Sequence, residues 1–152
     1  MTSTLGDLGR RWFEEVWNQR RREAIGEMMI PDAVIHDGGT VARGSKVFGE
    51  FFDRMTSAFP NLHVLVEDTI SEGEMLCVRW SSTGKHSGQG LGIDPTGITI
   101  DITGISIMRV SDGKFVEAWQ NWDMLGMMQQ LKAIGVAPTY IAATQTGDPQ
   151  PV

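Results

Sequence analysis

The sequence predicts an α+β fold in which three N-terminal helices pack on a curved antiparallel β-sheet. In the first 60 residues, apolar side chains recur every three or four positions, which is the spacing of amphipathic helices. After Pro60 apolar and polar side chains alternate, and turn residues separate the runs, as in antiparallel strands. The chain has 152 residues, of which 41% are hydrophobic and 21% charged, so it is long enough for one domain with a substantial core.

Three helices are predicted in the first part of the chain. The first spans residues 4–18, where the apolar side chains form a single stripe. The second spans residues 21–29 and ends before Pro31, because proline lacks the helical hydrogen-bond donor and restricts the residue before it. The third spans residues 45–59 and has Ser45 as its expected N-cap.

Five strands are predicted. A short strand at residues 33–37 ends at two glycines. The other four form an antiparallel meander, because Glu72-Gly73 and Ser111-Asp112-Gly113 are turn sequences that favour hairpins between apolar runs. A last short helix is predicted at residues 125–134. This order places the helices on one face of the sheet.

A curved sheet closed by helices forms a cone with an open mouth, which is a usual shape for a small-molecule site. The cone is predicted to occupy residues 1–136, and residues 137–152 are predicted to form a tail. The glycine-rich stretch from Gly84 to Ile100 lies between two predicted strands. Its composition suits either a ligand-binding loop or a flexible connection.

Composition excludes several classes of protein. A net charge of −6 argues against a nucleic-acid partner, whose binding would need a basic face. No apolar run reaches the roughly 18 to 20 residues of a membrane span, so no membrane association is expected. The single cysteine, Cys77, allows no intrachain disulfide, and the expected location is the cytoplasm. Neither zinc-ligand spacing nor a P-loop is present, and no metal site is predicted.

Four segments share an order and spacing with a known family. They read PDAVIHD, AFPNLHVLVEDTISEGEMLCVRW, GKHSGQGLGIDPTG and GISIMRVSDGKFVEAWQNWDMLGMMQQL. Together they resemble the SnoaL-like polyketide cyclase family of the NTF2-like cone superfamily, from about Leu8 to Leu131. The resemblance implies a homodimer with packed sheets and an enzyme that uses neither a metal nor an organic cofactor. The best-understood members close rings by intramolecular aldol condensation, with an aspartic acid as general acid and base.

The resemblance points to Asp123 as this acid/base residue. The family's aspartate lies nine residues after the lysine of its Asp-Gly-Lys turn, and Lys114 gives Asp123 here. The chemistry needs a carboxyl whose pKa is raised by apolar surroundings, which Trp119 and Trp122 would provide. The alternative is that Asp123 is the N-cap of the last helix.

His36 and Asp37 end the first strand, where the family commonly has a histidine and where the ketosteroid isomerase branch has an aspartate base nearby. Strand alternation allows only one of the two side chains to point into the cone. We choose His36 as the catalytic pocket residue, partnering Asp123 or a water, and keep Asp37 as a substrate-binding candidate. The alternative for His36 is a rim residue that hydrogen-bonds a loop.

Four further residues are candidates for substrate binding. Arg79 either points inward to bind a substrate oxygen or points outward into a cross-strand salt bridge. His86, in the glycine-rich stretch, either donates to a substrate carbonyl at the mouth or lies on a surface loop. Asn121 and Trp119 share strand parity with Asp123, so they are expected to bind an oxyanion and to stack on a planar substrate. Core or dimer packing is the alternative for Trp119.

Three functions fit this family. The first is an acid/base enzyme that cyclises, isomerises or hydrates a largely apolar, carbonyl-bearing or cyclic small molecule. The second is epoxide hydrolysis of the limonene-epoxide-hydrolase type, which needs an inward Asp-Arg-Asp set such as Asp101, Arg79 and either Asp123 or Asp37. The third is a non-catalytic binding protein, whose pocket would bring no two ionisable groups together. Ketosteroid isomerisation is disfavoured, because the chain has Phe13 and Ser106 where that reaction needs a tyrosine and an acid.

Overall fold

The computed structural model describes residues 3–135 and consists of helices packed on a single curved sheet. The helices are α1 (Leu5–Trp12), which continues as a π-helix (Phe13–Asn18), α2 (Ala24–Met28), α3 (Ser45–Ala58) and α4 (Met124–Gln130). The strands are β1 (Met29–Asp37), β2 (Thr40–Arg43), β3 (His63–Glu72), β4 (Met75–Lys85), β5 (Thr99–Ser111) and β6 (Lys114–Trp122). The predicted α+β class is therefore confirmed. The predicted tail at 137–152 lies outside the described residues.

The sheet has the order β2-β1-β6-β5-β4-β3, and the predicted meander of β3 to β6 is confirmed. Two features differ from the prediction. Strand β1 pairs with β6 in parallel, so the sheet is mixed rather than wholly antiparallel. The short β2 forms an additional hairpin with β1 and was not predicted, because it has only four residues and is largely exposed. A mostly exposed strand lacks the alternation of burial on which strand prediction depends.

The first helix begins and ends differently from an ideal α-helix. Thr4 caps its N-terminus in a reciprocal capping box with Asp7. After Trp12 the chain widens into a π-helix, and the amide of Gln19 donates to the carbonyl of Glu14 at 2.8 Å. The wider turn keeps Phe13, Val16 and Trp17 buried together.

Two predicted helix boundaries are wrong in detail. Pro31 lies within β1, at the irregularity in pairing between Met29 and Val34, where a residue without an amide hydrogen is tolerated. Gly44, with a φ of 102°, is the N-cap of α3, and Ser45 is its first helical residue without a capping hydrogen bond. Among residues 3–135, no helix is long and apolar enough to cross a membrane.

Candidate functional site

The inner face of the sheet and the helices enclose two adjoining cavities. The outer chamber has a cavity volume of about 50 Å³, opens to solvent at a mouth, and is lined by Phe13, Trp17, Phe51, Met55, Leu62, Val64, Trp80, Ser82, Ile102, Gln120 and Trp122. The inner chamber is smaller, with a cavity volume of about 20 Å³, and is lined by Trp12, Phe13, Trp17, Met29, Ile35, Phe48, Ser106, Met108, Phe115, Ala118 and Gln120. Three side chains line both chambers. This largely aromatic space suits an apolar group of a ligand that enters through the mouth.

A row of three polar side chains crosses the inner face of the sheet beside these chambers. Strand pairing places Asp37 of β1 opposite Gln120 of β6, and Gln120 opposite Ser106 of β5. Directly paired residues in adjacent strands point to the same face, with their Cβ atoms about 5 Å apart. We call these three residues the polar row. They give an otherwise apolar interior its most concentrated hydrogen-bonding capacity.

Asp37 is the ionisable member of the polar row. Ile35, two residues earlier in β1, lines the inner chamber, so alternation along the strand directs Asp37 inward as well. Burial raises the pKa of the Asp37 carboxyl, and a side-chain hydrogen bond from Trp122 acts in the opposite direction. A carboxyl with a raised pKa beside an apolar cavity has the properties that acid/base catalysis requires.

His36 faces the other side of the sheet, so the choice between the two neighbouring residues was wrong. Its ring stacks on Trp119 at 5.2 Å, nearly parallel, and its Nε2 lies 2.9 Å from a carboxylate oxygen of Glu117. Both contacts are on the outer face, because Glu117 and Trp119 alternate with the inward-facing Ala118 and Gln120. The two side chains do face opposite sides of the sheet, as strand alternation predicts, but alternation alone does not decide which one faces the cavity.

Asp123 is the N-cap of α4, as the alternative interpretation stated. Its Oδ1 accepts a hydrogen bond from the amide of Gly126 at 2.8 Å, and the residue is exposed. The expectation of a carboxyl surrounded by apolar walls is therefore wrong for Asp123. The strand ends at Trp122, and the chain turns away from the cavity where the helix begins.

Arg79, Asn121 and Trp119 also lie on the outer face. Arg79 pairs across strands with Asp68, its Nε donating to a carboxylate oxygen at 2.6 Å, which confirms the salt-bridge alternative. Arg79, Asn121 and Asp123 do line one groove of about 430 Å³, but it is open to solvent and lies on the outer face of the sheet. Inward roles for Arg79, Asn121 and Trp119 are therefore excluded by the strand parity.

His86 is fully buried, at 0% exposure, and does not lie at the mouth. Its Nδ1 accepts a hydrogen bond from the amide of Thr96 at 3.2 Å, and its ring packs against Phe59. The amides of Ser87 and Gly88 donate to the carbonyl of Ala58 at 3.2 and 3.1 Å. The glycine-rich stretch is thus folded against the C-terminus of α3 around a buried histidine. Within residues 3–135, Nε2 of His86 has no hydrogen-bond partner.

A substitution at Gly88 tests whether the glycine-rich stretch needs glycine because it packs closely against the end of α3. An added Cβ would overlap the carbonyl oxygen of Ser57, which is backbone and cannot rotate away. We expect Gly88→Ala to lower the free energy of unfolding by about 1–3 kcal/mol in urea denaturation. Gly26→Ala is the matched control, because nothing lies within 4 Å of its Cβ. If Gly88→Ala is as stable as Gly26→Ala, close packing does not explain this glycine.

Two chemical arrangements are not formed by the described part of the chain. The Asp-Arg-Asp set of an epoxide hydrolase would need Arg79 beside Asp37, but these residues face opposite sides of the sheet, and Asp101 is exposed. Within residues 3–135, no three His, Cys, Asp or Glu side chains come together as a group that could hold a metal ion.

Gln120 and Ser106 were not identified as site residues from the sequence. Ser106 stands between two isoleucines and Gln120 between Trp119 and Asn121, and neither local pattern marks a site residue. Their importance comes from cross-strand register, which aligns them with Asp37 although they are distant along the chain. The register is shifted at two bulges, one between β1 and β6 and one between β5 and β6, so it cannot be counted along the sequence alone.

Comparison with known proteins agrees with this architecture. A family model described as SnoaL-like polyketide cyclase matches residues 8–131. Among solved structures, a candidate SnoaL-like polyketide cyclase from Jannaschia sp. CCS1 is 24% identical, with a TM-score of 0.78 over 89% of this chain and 99% of that one. The candidate polyketide cyclase IdmH from Streptomyces antibioticus is 28% identical, with a TM-score of 0.73 over 84% of this chain and 97% of that one.

A more distant structure shows the same fold. A protein from Catenulispora acidiphila DSM 44928, described as having a ketosteroid isomerase-like fold, has a TM-score of 0.71 at 14% identity. The match covers 85% of this chain and 95% of that one. The predicted NTF2-like cone is therefore confirmed.

Proposed function

The chain belongs to the SnoaL-like polyketide cyclase family, and from this premise we propose that it catalyses proton transfer on a largely apolar, carbonyl-bearing or cyclic small molecule. Family membership supports an enzyme of the cyclase or isomerase type. We assign the role of general acid and base to Asp37. The proposed step requires neither a metal nor an organic cofactor, because one carboxyl both accepts and returns the proton.

A single observation carries the proposal: Asp37 pairs across strands with Gln120, which lines both chambers, and burial raises the pKa of the Asp37 carboxyl. In its ionised form the carboxylate takes a proton from a carbon next to a carbonyl group. The electron pair of the C–H bond moves into the new carbon–carbon double bond, and negative charge develops on the carbonyl oxygen. The protonated carboxyl then returns the proton to carbon, or the enolate carbon attacks a second carbonyl to close a ring and the carboxyl gives its proton to the alkoxide oxygen that forms.

The proposal is tested with 2-tetralone, a bicyclic apolar ketone that serves as a substrate probe. The protein is mixed with the ketone in deuterium oxide, and NMR follows the exchange of the protons next to the carbonyl. We expect exchange faster than in buffer alone, saturating with ketone concentration. Exchange at the buffer rate, although the ketone binds, would contradict catalysis.

A non-catalytic binding protein is the second candidate. It is favoured by the fact that none of the described residues lining either chamber is ionisable, which leaves Asp37 as a single carboxyl at the edge. Catalysis by one carboxyl is chemically sufficient, but most acid/base sites use several converging groups. Binding of 2-tetralone without proton exchange would favour this second function.

We further propose that the chain forms a homodimer through the outer face of the sheet. Strand pairing aligns Ile70, Cys77, Ile107 and Trp119 in one row across this face. Ile105 and Ile107 are 46% and 39% exposed, which is unusual for neighbouring large apolar residues on one sheet. A second copy with the same face would cover them.

The double variant Ile105→Lys/Ile107→Lys tests the dimer. We expect it to sediment as a monomer under conditions in which the wild type sediments as a dimer, because lysines on facing sheets would repel each other. Val47→Lys is the control, since Val47 is 41% exposed but lies on α3. A wild-type monomer, or a double variant that remains dimeric, would refute this interface.

A further inference from the structure

The hydrogen bonds around Ser106 leave one donor unused deep inside the protein. Ser106 is only 4% exposed and lines the inner chamber. Its Oγ accepts a hydrogen bond from Nε1 of Trp80 at 3.1 Å. Within residues 3–135, the hydroxyl hydrogen of Ser106 has no acceptor. A buried hydroxyl whose oxygen is already engaged can still donate to a ligand.

Gln120 has a second free polar group at the same place. Its side chain lines both chambers, and among residues 3–135 its amide group makes no hydrogen bond. Gln120 is half-buried, and an amide that lines a largely apolar cavity without a protein partner can donate to a ligand oxygen or a water there. Since Gln120 pairs directly with Ser106 across strands β6 and β5, both donors reach the same region.

Ser82 also lines the outer chamber, but unlike Ser106 its hydroxyl proton already has an acceptor. Its hydroxyl donates to the carbonyl oxygen of His63 at 3.0 Å, so it has no proton left for a ligand. The donors available to a bound oxygen therefore concentrate on the polar row. Asp37 lies at one end of that row, Ser106 lies at the other, and Gln120 lies between them.

From this arrangement we infer that Ser106 and Gln120 form an oxyanion-binding pair, which holds the carbonyl oxygen of an enolisable substrate while Asp37 acts on a neighbouring carbon. This inference rests on the proposed function and adds the orientation of the substrate. When the proton moves from carbon to the Asp37 carboxylate, negative charge develops on the oxygen. Hydrogen bonds from the Ser106 hydroxyl and the Gln120 amide stabilise that charge. Trp80 is a positioning residue, because its indole N–H orients the hydroxyl of Ser106.

The order of the polar row limits the class of substrate. Gln120 lies on the strand next to that of Asp37, and Ser106 lies on the following strand, so the reacting carbon and the oxygen must be close within one molecule. A ketone or an enone in an apolar ring system meets this requirement. An alkane or a simple alkene has no oxygen for the pair to bind.

The test uses 4-nitrophenol, whose ionised oxygen resembles an enolate and whose colour reports its ionisation. All titrations are made in the Asp37→Asn protein, so that no catalysis is required and, except in Gln120→Glu, the bound phenol is the one titrating group of the polar row. We expect Gln120→Leu and Ser106→Ala each to raise the pKa of bound 4-nitrophenol by about one pH unit, because each removes a hydrogen bond to the anion. Gln120→Glu is expected to raise it further, because a carboxylate repels the phenolate.

Ser81→Ala is the matched control. Ser81 precedes Ser82 on β4 but faces outward, where its hydroxyl donates to Glu67 at 2.7 Å. It is expected to leave the pKa of the bound phenol unchanged. If Ser106→Ala does not fold, because the indole of Trp80 loses its acceptor, the two Gln120 variants still decide the question.

Either of two results would overturn the inference: 4-nitrophenol fails to bind saturably, or its bound pKa is the same in the Gln120 variants as in the control. These results are distinct from failure of the proposed function. That function fails if the wild type does not exchange 2-tetralone protons, whatever the phenol titration gives. A third outcome separates the two assignments. If proton exchange depends on Asp37 but the pKa of the bound phenol does not respond to the Gln120 variants, Asp37 is still the acid/base residue and the oxyanion-binding pair is refuted.

Discussion

Asp37→Asn is expected to reduce the rate of proton exchange in 2-tetralone by about 10²- to 10⁴-fold, the range in which positioned acid/base groups contribute. The amide of asparagine has nearly the size of the carboxyl but cannot accept a proton from carbon. Binding of the ketone is expected to change little, because the aromatic walls of the outer chamber remain. The measurement is the exchange rate by NMR, with the buffer rate subtracted.

Asp123→Asn is the matched control, because it makes the same chemical change at the carboxylate that family resemblance alone selects. Asp123 is exposed and caps α4, and asparagine is an equally good N-cap. Its exchange rate and thermal midpoint are therefore expected to stay near those of the wild type. Loss of exchange in Asp123→Asn with retention in Asp37→Asn would reverse the assignment.

The free energy of unfolding of Asp37→Asn, compared with that of the wild type, is a second measurement, and the raised pKa of Asp37 fixes the direction in which the difference changes with pH. Burial raises the pKa of Asp37 above its ordinary value of 3.8, so the folded protein holds this proton more tightly than the unfolded chain. Stability linked to this group is therefore highest below the ordinary pKa and declines as the pH rises through the raised one. At neutral pH we expect Asp37→Asn to be at least as stable as the wild type, with an advantage that disappears in acid. A variant that is inactive yet stable would show that the loss is chemical.

Gly104→Ala is expected to lower the free energy of unfolding by about 2–4 kcal/mol, although glycine within a strand is ordinarily unfavourable. Strand pairing places Gly104 directly between Trp80 and Trp122 on the inner face. A Cβ at this position would overlap the indole ring of Trp80, which lies across β5. Displacing that ring would also break its hydrogen bond to Ser106 and disturb the outer chamber. Urea denaturation measures the first effect and 2-tetralone exchange the second.

Gly26→Ala again supplies the control for this substitution. Gly26 lies inside α2 with nothing within 4 Å of an added Cβ, so alanine should be neutral or stabilising by up to about 1 kcal/mol. A Gly104→Ala protein as stable as Gly26→Ala would mean that the Trp80 ring is not held against the strand. In that case, Trp80 would not be the residue that orients the hydroxyl of Ser106.

Much of the fold is predictable because it follows from local signals. The turns at Gly73 and at Asp112-Gly113 adopt positive φ values that their residues tolerate, and each forms the predicted hairpin. Helix α3 follows its apolar stripe and ends one residue earlier than predicted. Local patterns do not predict β2, because an exposed strand of four residues has no buried face to mark it.

The candidate site is less predictable because it depends on which face of the sheet each residue occupies. Alternation requires His36 and Asp37 to face opposite sides, but only the position of β1 beside β6 shows which one faces the cavity. The resemblance to the family pointed to Asp123. In the structure α4 begins at Met124, directly after Asp123, so that this carboxyl caps the helix instead of facing the cavity. The alignment of Asp37, Gln120 and Ser106 is a product of long-range strand register.

The most direct test of the account is the pH dependence of 2-tetralone exchange by the wild-type protein. If Asp37 in its ionised form is the base, the rate should rise with pH and level off above a single inflection. Because burial raises the pKa of this carboxyl, that inflection should lie above the ordinary value of 3.8, and it should be absent in Asp37→Asn. A rate that does not vary with pH, or an inflection that persists unchanged in Asp37→Asn, would contradict the assignment of Asp37 as the acid/base residue.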